Sequence, residues 1–218
     1  MTSEITQISN LLKHERYHRD TAQWDLCRAA YHPDADQTYI DVSWFRGTID
    51  AFLTQSAKIH PGGINVIHSS FDPVDIKIVG TRATSEAFCL ITSNTTIAGC
   101  DYELASYMRL ISRLHKLKLA GLDSDSPSDS GAVWRIVRLE AIYVRDRLVC
   151  AFPGADSGSQ LVLGEACLYP RAYRNMAFVM LNRGLAPRVD LPHEDDQVSV
   201  RRVLDAGAAF LNGKNDGV

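Results

Sequence analysis

The 218-residue chain has no excess of positive charge, no long apolar run and no paired cysteine motif. Its formal net charge of -3 supplies no pull toward a phosphate backbone, so nucleic acid is not an expected partner. No stretch approaches the roughly 20 apolar residues that span a bilayer, and no membrane partner is expected. The amphipathic opening, Met1 to Arg16, lacks the uninterrupted apolar segment of a secretory signal, which makes the cytoplasm the expected location. Five cysteines (Cys27, Cys89, Cys100, Cys150, Cys167) are odd in number and scattered, and they read as reduced thiols. G-x-G-x-x-G, G-x-x-x-x-G-K-[ST] and G-x-S-x-G are all absent, so nucleotide-binding and serine-hydrolase readings lose their usual support. His14 and His18 stand four apart, but no third ligand follows at a suitable spacing. Neither a metal nor an organic cofactor is therefore expected.

What is present is an ordinary globular composition, 45% hydrophobic and 22% charged, long enough to bury a sizeable core. Ser3 precedes Ile5, Ile8, Leu11 and Leu12 on one face of a predicted helix over residues 3–19. The centre of that face continues into Glu15 and Arg19, so these side chains either snorkel past the core or project into a cavity. Tyr17 points away from the stripe. Asp20 to Gln23 reads as a break, with Asp20 capping a second helix through Trp24, Leu26 and Cys27 to about Tyr31. A β-rich segment, Thr38 to Phe45, and a helix over 48–59 follow. Five predicted strands then cover 65–70, 74–79, 83–93, 102–117 and 133–144. In the fourth, Tyr102, Leu104, Met108 and Leu110 alternate with Ala105, Tyr107 and Ile111, the pattern of a long, curved strand covered on both faces. The polar run 122–131 reads as a mobile hairpin tip and Ala155 to Gly158 as a linker. Helices are expected at about 168–183 and 196–212, the last with Val200, Val203, Leu204, Ala208 and Leu211 in one stripe. Such an extension packs outside the sheet, caps a pocket or pairs with another subunit.

The fold class is α+β, with N-terminal helices over a cone-shaped, curved antiparallel sheet enclosing a small-molecule pocket. The domain spans residues 1–152, and a helical extension covers 153–218. His68 lies in the apolar segment Val66 to Ser70 and needs either a buried partner or a cavity. If the helices pack on its sheet face, Asp20 comes within reach of one ring nitrogen and leaves the other free for proton transfer. The plainer alternatives are a helix-capping Asp20 and a satisfied core or surface His68.

Arg16 to Arg28, then Tyr31-His32-Pro33-Asp34-Ala35 and Ser43-Trp44-Phe45-Arg46-Gly47, resemble the SnoaL-like branch of the nuclear transport factor 2-like superfamily, especially scytalone dehydratase and bile-acid dehydratase. The resemblance covers residues 1–150. It implies a catalytic pair of an Asp four residues before the second-helix Trp and a His on the sheet, here Asp20 and His68. The tyrosine positions of those enzymes hold Glu15 and Arg19, which leaves the pair but changes the electrophile. What is implied is a cofactor-free lyase or isomerase, of dehydratase or cyclase kind, acting on a hydrophobic oxygenated metabolite of polyketide or terpenoid type. Glu15 and Arg19 would bind its oxygens, and Tyr31, Trp44 and Tyr107 would supply apolar wall. Two rivals share the fold. One is epoxide opening by water activated between Asp20 and Glu15 with Arg19 as orienter, and the other is a noncatalytic binding or assembly module. A homodimer or homotrimer is the expected assembly.

Overall fold

A computed structural model describes residues 3–60, 62, 64–73, 75–118, 131–152, 161–162 and 164–214. Helix α1 runs over Glu4–Asp20 and opens on Ser3, whose hydroxyl accepts from the Thr6 amide at 3.2 Å. Asp20 is its last residue rather than the cap of the next helix. The chain reverses through Ala22, at φ +55°, and α2 (Trp24–Ala29) begins after Gln23 without a side-chain cap. The expected single β segment is a tight pair, β1 (Tyr39–Val42) and β2 (Phe45–Gly47), and α3 (Ile49–Ile59) follows. Strands β3 (Val66–Ser70), β4 (Asp75–Val79), β5 (Arg82–Ile97), β6 (Cys100–Lys118) and β7 (Ala132–Cys150) complete the sheet. The expected hairpin tip lies outside the described residues except for Gly131, and the expected linker at Ala155 to Gly158 lies wholly outside them.

Among the described residues the sheet order is β2-β1-β7-β6-β5-β3, with β4 also on β5. Strands β3 and β4 lie end to end along one edge of β5, pairing with Cys89–Ser93 and Arg82–Glu86 respectively. Among these strands every pair is antiparallel but one: β1 runs parallel to β7, Tyr39 against Arg138. The register of β7 against β6 slips by a residue at Tyr107/Met108 and again at Arg113/Leu114. Bulges of this kind bend a strand and strengthen its twist, which curves the sheet without closing it.

The concave face packs against the N-terminal helices. Ile8, Leu12, Ile49, Phe52, Leu110, Leu114 and Leu139 belong to one buried cluster, so the wheel position of α1 and the alternation of β6 meet in the same core. The C-terminal segment divides. Helix α4 (Arg174–Asn182) sits at the open end of the concave side, tied down where the Asp146 carboxylate accepts from the Met176 amide (2.6 Å) and the Asn175 side chain (2.8 Å). Helix α5 (Gln197–Leu211) crosses the convex side, where Val200 and Val203 pack on Ile111 and Ile142. No described helix is long and apolar enough to cross a membrane.

Candidate active site

A cavity of about 1110 Å³ opens between the helices and the concave face, somewhat above the ordinary size range of small-molecule sites. Asp20 and His68 face each other across its wall. The Asp20 carboxylate accepts from the His68 backbone amide with one oxygen (2.7 Å) and meets ring Nδ1 with the other (2.5 Å). Because a carboxylate can only accept, Nδ1 carries the proton and Nε2 keeps its lone pair. Each side chain is 11% exposed, and both line the cavity. The α1 terminus makes this possible: a residue ending a helix can aim its carboxylate sideways at the adjacent strand. Burial, and then the Arg19 guanidinium, push the imidazole down to about pKa 4, against the opposing pull of Asp20. Near pH 7 His68 is therefore a neutral base.

Arg19 also lines the cavity, with its guanidinium 5.8 Å from the Phe52 ring centre. Behind it Glu15 is fully buried and does not reach the cavity. Its carboxylate accepts from Arg16, from the Tyr31 hydroxyl (2.9 Å) and from the Cys27 thiol (3.7 Å), and lies 4.0 Å from Arg19 Nε. Burial raises its pKa, but Arg16 and Arg19 outweigh that and hold it at about 2. Glu15 is thus a permanent anion that fixes a cation in the cavity wall. The α1 face expected to end in two cavity residues instead ends in a counter-ion and the cation it holds.

Tyr31 is likewise beneath the wall rather than in it, with its hydroxyl committed to Glu15. Tyr107 lies on the opposite sheet face, where the Arg145 guanidinium stands 4.7 Å over its ring. The alternation of β6 already separated it from Leu104, Met108 and Leu110, all of which line the cavity. Trp44 does line it, stacked on Phe52 at 5.5 Å. Ser106, missed in the sequence, has the inward parity of β6. It is 3% exposed, lines the cavity, and its hydroxyl has no hydrogen-bond partner among the described residues. His68, Ile91 and Ser106 are successive cross-strand partners, so the hydroxyl sits two strands from the imidazole, about 10 Å away. Tyr143, also unforeseen, accepts from the Ser43 amide at 2.9 Å. Among the described residues no three His, Cys, Asp or Glu side chains gather at metal-binding distance.

The arrangement is a neutral base held by a carboxylate, a fixed cation beside it, and an apolar enclosure with one unsatisfied hydroxyl. Together with an open curved sheet under N-terminal helices, this defines an α+β protein of the nuclear transport factor 2-like kind. The family model of the SnoaL-like domain matches residues 1–146, and the chain belongs to that family. It is 25% identical to an uncharacterized protein of Aspergillus terreus over 184 residues, 80% of this chain and 64% of that protein. The chain therefore spans under two thirds of that relative's length. A scytalone dehydratase-like protein of Novosphingobium aromaticivorans shares the fold at TM-score 0.50, with 17% identity over 66% of this chain and 86% of the other. A hexachlorocyclohexane dehydrochlorinase, LinA type 2, does so at TM-score 0.51, with 13% identity over 70% and 93%.

Proposed function

We propose that the chain is a cofactor-independent lyase or isomerase, of dehydratase or cyclase kind, acting on a hydrophobic oxygenated small molecule such as a polyketide- or terpenoid-type metabolite. The observation that carries this reading is the Asp20–His68 pair with Nε2 left free at a cavity of about 1110 Å³. His68 removes a proton beside a carbonyl, Asp20 holds the ring in the reactive tautomer, and Arg19 stabilises the oxyanion that forms. The Ser106 hydroxyl meets a second substrate oxygen. Two neighbours of the same fold are named for eliminations, a dehydratase and a dehydrochlorinase, which supports the same chemistry. The water-activating rival loses its second carboxylate, because Glu15 is bonded away from the cavity. Five unpaired cysteines support a reducing, cytoplasmic setting.

The Kemp elimination of 5-nitrobenzisoxazole tests the base without knowledge of the natural substrate. Nε2 takes the C3 proton, the N–O bond breaks, and its electron pair leaves on the phenolate. His68→Ala is expected to lower kcat/KM by about 10²-fold with the circular dichroism spectrum unchanged. A folded His68→Ala protein that turns over at the wild-type rate would remove the imidazole from the mechanism.

A further inference from the structure

The family match ends at residue 146, yet Met176, Arg183 and Leu185 from the chain beyond it line the same cavity. Arg183 follows α4 directly, at the exposed rim, and its Nη2 donates to the Asn94 carbonyl of β5 at 2.9 Å. That bond holds the guanidinium over the opening and leaves its other donors unclaimed by any carboxylate among the described residues. Burial alone shifts its pKa, downward, with no acid contributing. Asp101, an acid that also lines the cavity, accepts from the Thr96 hydroxyl at 2.6 Å and makes no ion pair with Arg183. A planar guanidinium held by a hydrogen bond, with no carboxylate partner among the described residues and an apolar hollow beside it, is suited to an anionic head group.

The spacing adds a ruler. Asn94 lies three residues along β5 from Ile91, the cross-strand partner of His68, which is about 10 Å of strand. The proton-transfer end and the cationic rim are thus separated by roughly the length of a two- or three-ring skeleton. We propose that the guest is an amphiphilic monoanion, its apolar skeleton inside the cavity and its carboxylate or sulfonate on Arg183 about 10 Å from the proton that His68 removes. This deepens the proposed function and rests on it for the position of the reacting end.

Two dyes with one aryl skeleton test it on the full chain: 8-anilinonaphthalene-1-sulfonate, an anion, and N-phenyl-1-naphthylamine, its neutral counterpart. Fluorescence titration at pH 7 should show the wild type favouring the sulfonate by about fivefold, the scale of one rim-exposed charge pair. Arg183→Gln should erase the preference while leaving the neutral dye's affinity unchanged, which also shows that the variant is folded. If the preference survives Arg183→Gln and vanishes in Arg19→Gln, the anion sits at the deep end and the inference is wrong. Equal affinity of the wild type for both dyes would also overturn it. Failure of both dyes to bind would end the open-cavity reading as well, whereas an active His68→Ala enzyme would strike the catalytic reading and leave Arg183 untouched.

Discussion

Strands β5, β6 and β7 present two faces made from alternate residues, and the two faces are finished differently. On the convex face Arg109 bonds Glu86 and Glu194, each at 2.7 Å, and Arg113 bonds Glu140 at 2.8 Å. Ile111 and Ile142 lie sealed beneath Val200 and Val203 of α5. On the concave face Leu104, Ser106, Met108 and Leu110 line a hollow, and the Ser106 hydroxyl is buried with no hydrogen-bond partner among the described residues. Buried polar atoms are nearly always satisfied, so a hydroxyl left open beside an empty volume is placed for something that completes it. The convex face is closed by ion pairs and a covering helix, while the concave face keeps an open hydroxyl beside a cavity.

The largest effect is expected at the carboxylate buried behind the cavity wall. Glu15→Gln leaves Arg16 and Arg19 buried without their anion and is expected to cost about 3–5 kcal/mol in urea unfolding at pH 7. The Glu15 pKa is depressed to about 2, below its ordinary 4.5. Its contribution is therefore complete above pH 4.5 and drains away as pH falls toward 2, so the gap between wild type and variant should narrow in acid. A loss under about 1 kcal/mol at pH 7 would show that the cation does not depend on this anion.

A smaller effect is expected from the cation itself. On the proposed mechanism neutral His68 is the reactive form, so wild-type kcat/KM for 5-nitrobenzisoxazole should stay level as pH falls and drop only through about 4. Burial and Arg19 both press that value down from the ordinary 6.5. Arg19→Gln removes the second of these, so the acid limb should move upward toward 6.5, with kcat reduced about tenfold as the phenolate loses its cation. An acid limb that stays in place would separate Arg19 from the imidazole.

Much of the architecture was legible because it rests on local patterns. Helix α1 showed its stripe, and the strands showed branched and aromatic runs between turn signals. Asp20 and His68 were legible as a pair through the resemblance. The contact of the carboxylate with one ring nitrogen was expected too, whereas the place of Asp20 at the end of α1 was not, since a terminal helical Asp and a capping Asp share one sequence signature and only packing decides between them. Glu15 was correctly placed on the buried face, but burial of a carboxylate is ambiguous between cavity and counter-ion until its neighbours are known. Tyr107 was misplaced despite its parity, since the two-faced apolar pattern of β6 hides which face is hollow. Ser106 carried only that parity as a signal. Arg183 carried none, because nothing local announces that a chain folded back from beyond β7 will reach the rim.

The finest test asks whether the convex face is independent of the hollow. Val203 is buried against Ile111 and Ile142, so Val203→Ala removes two carbons from that seal and should cost about 1–2 kcal/mol in urea unfolding. The hollow lies on the other side of the strands, and its lining includes no residue of α5. Kemp turnover and neutral-dye affinity should therefore stay within about twofold of wild type, the margin for sites without shared partners. A larger drop would mean that α5 sets the curvature of β5 and β6 and, through it, the spacing between His68 and the opposite wall. The convex helix would then belong to the machinery of the site, and the division between a stabilising face and a binding face would fail.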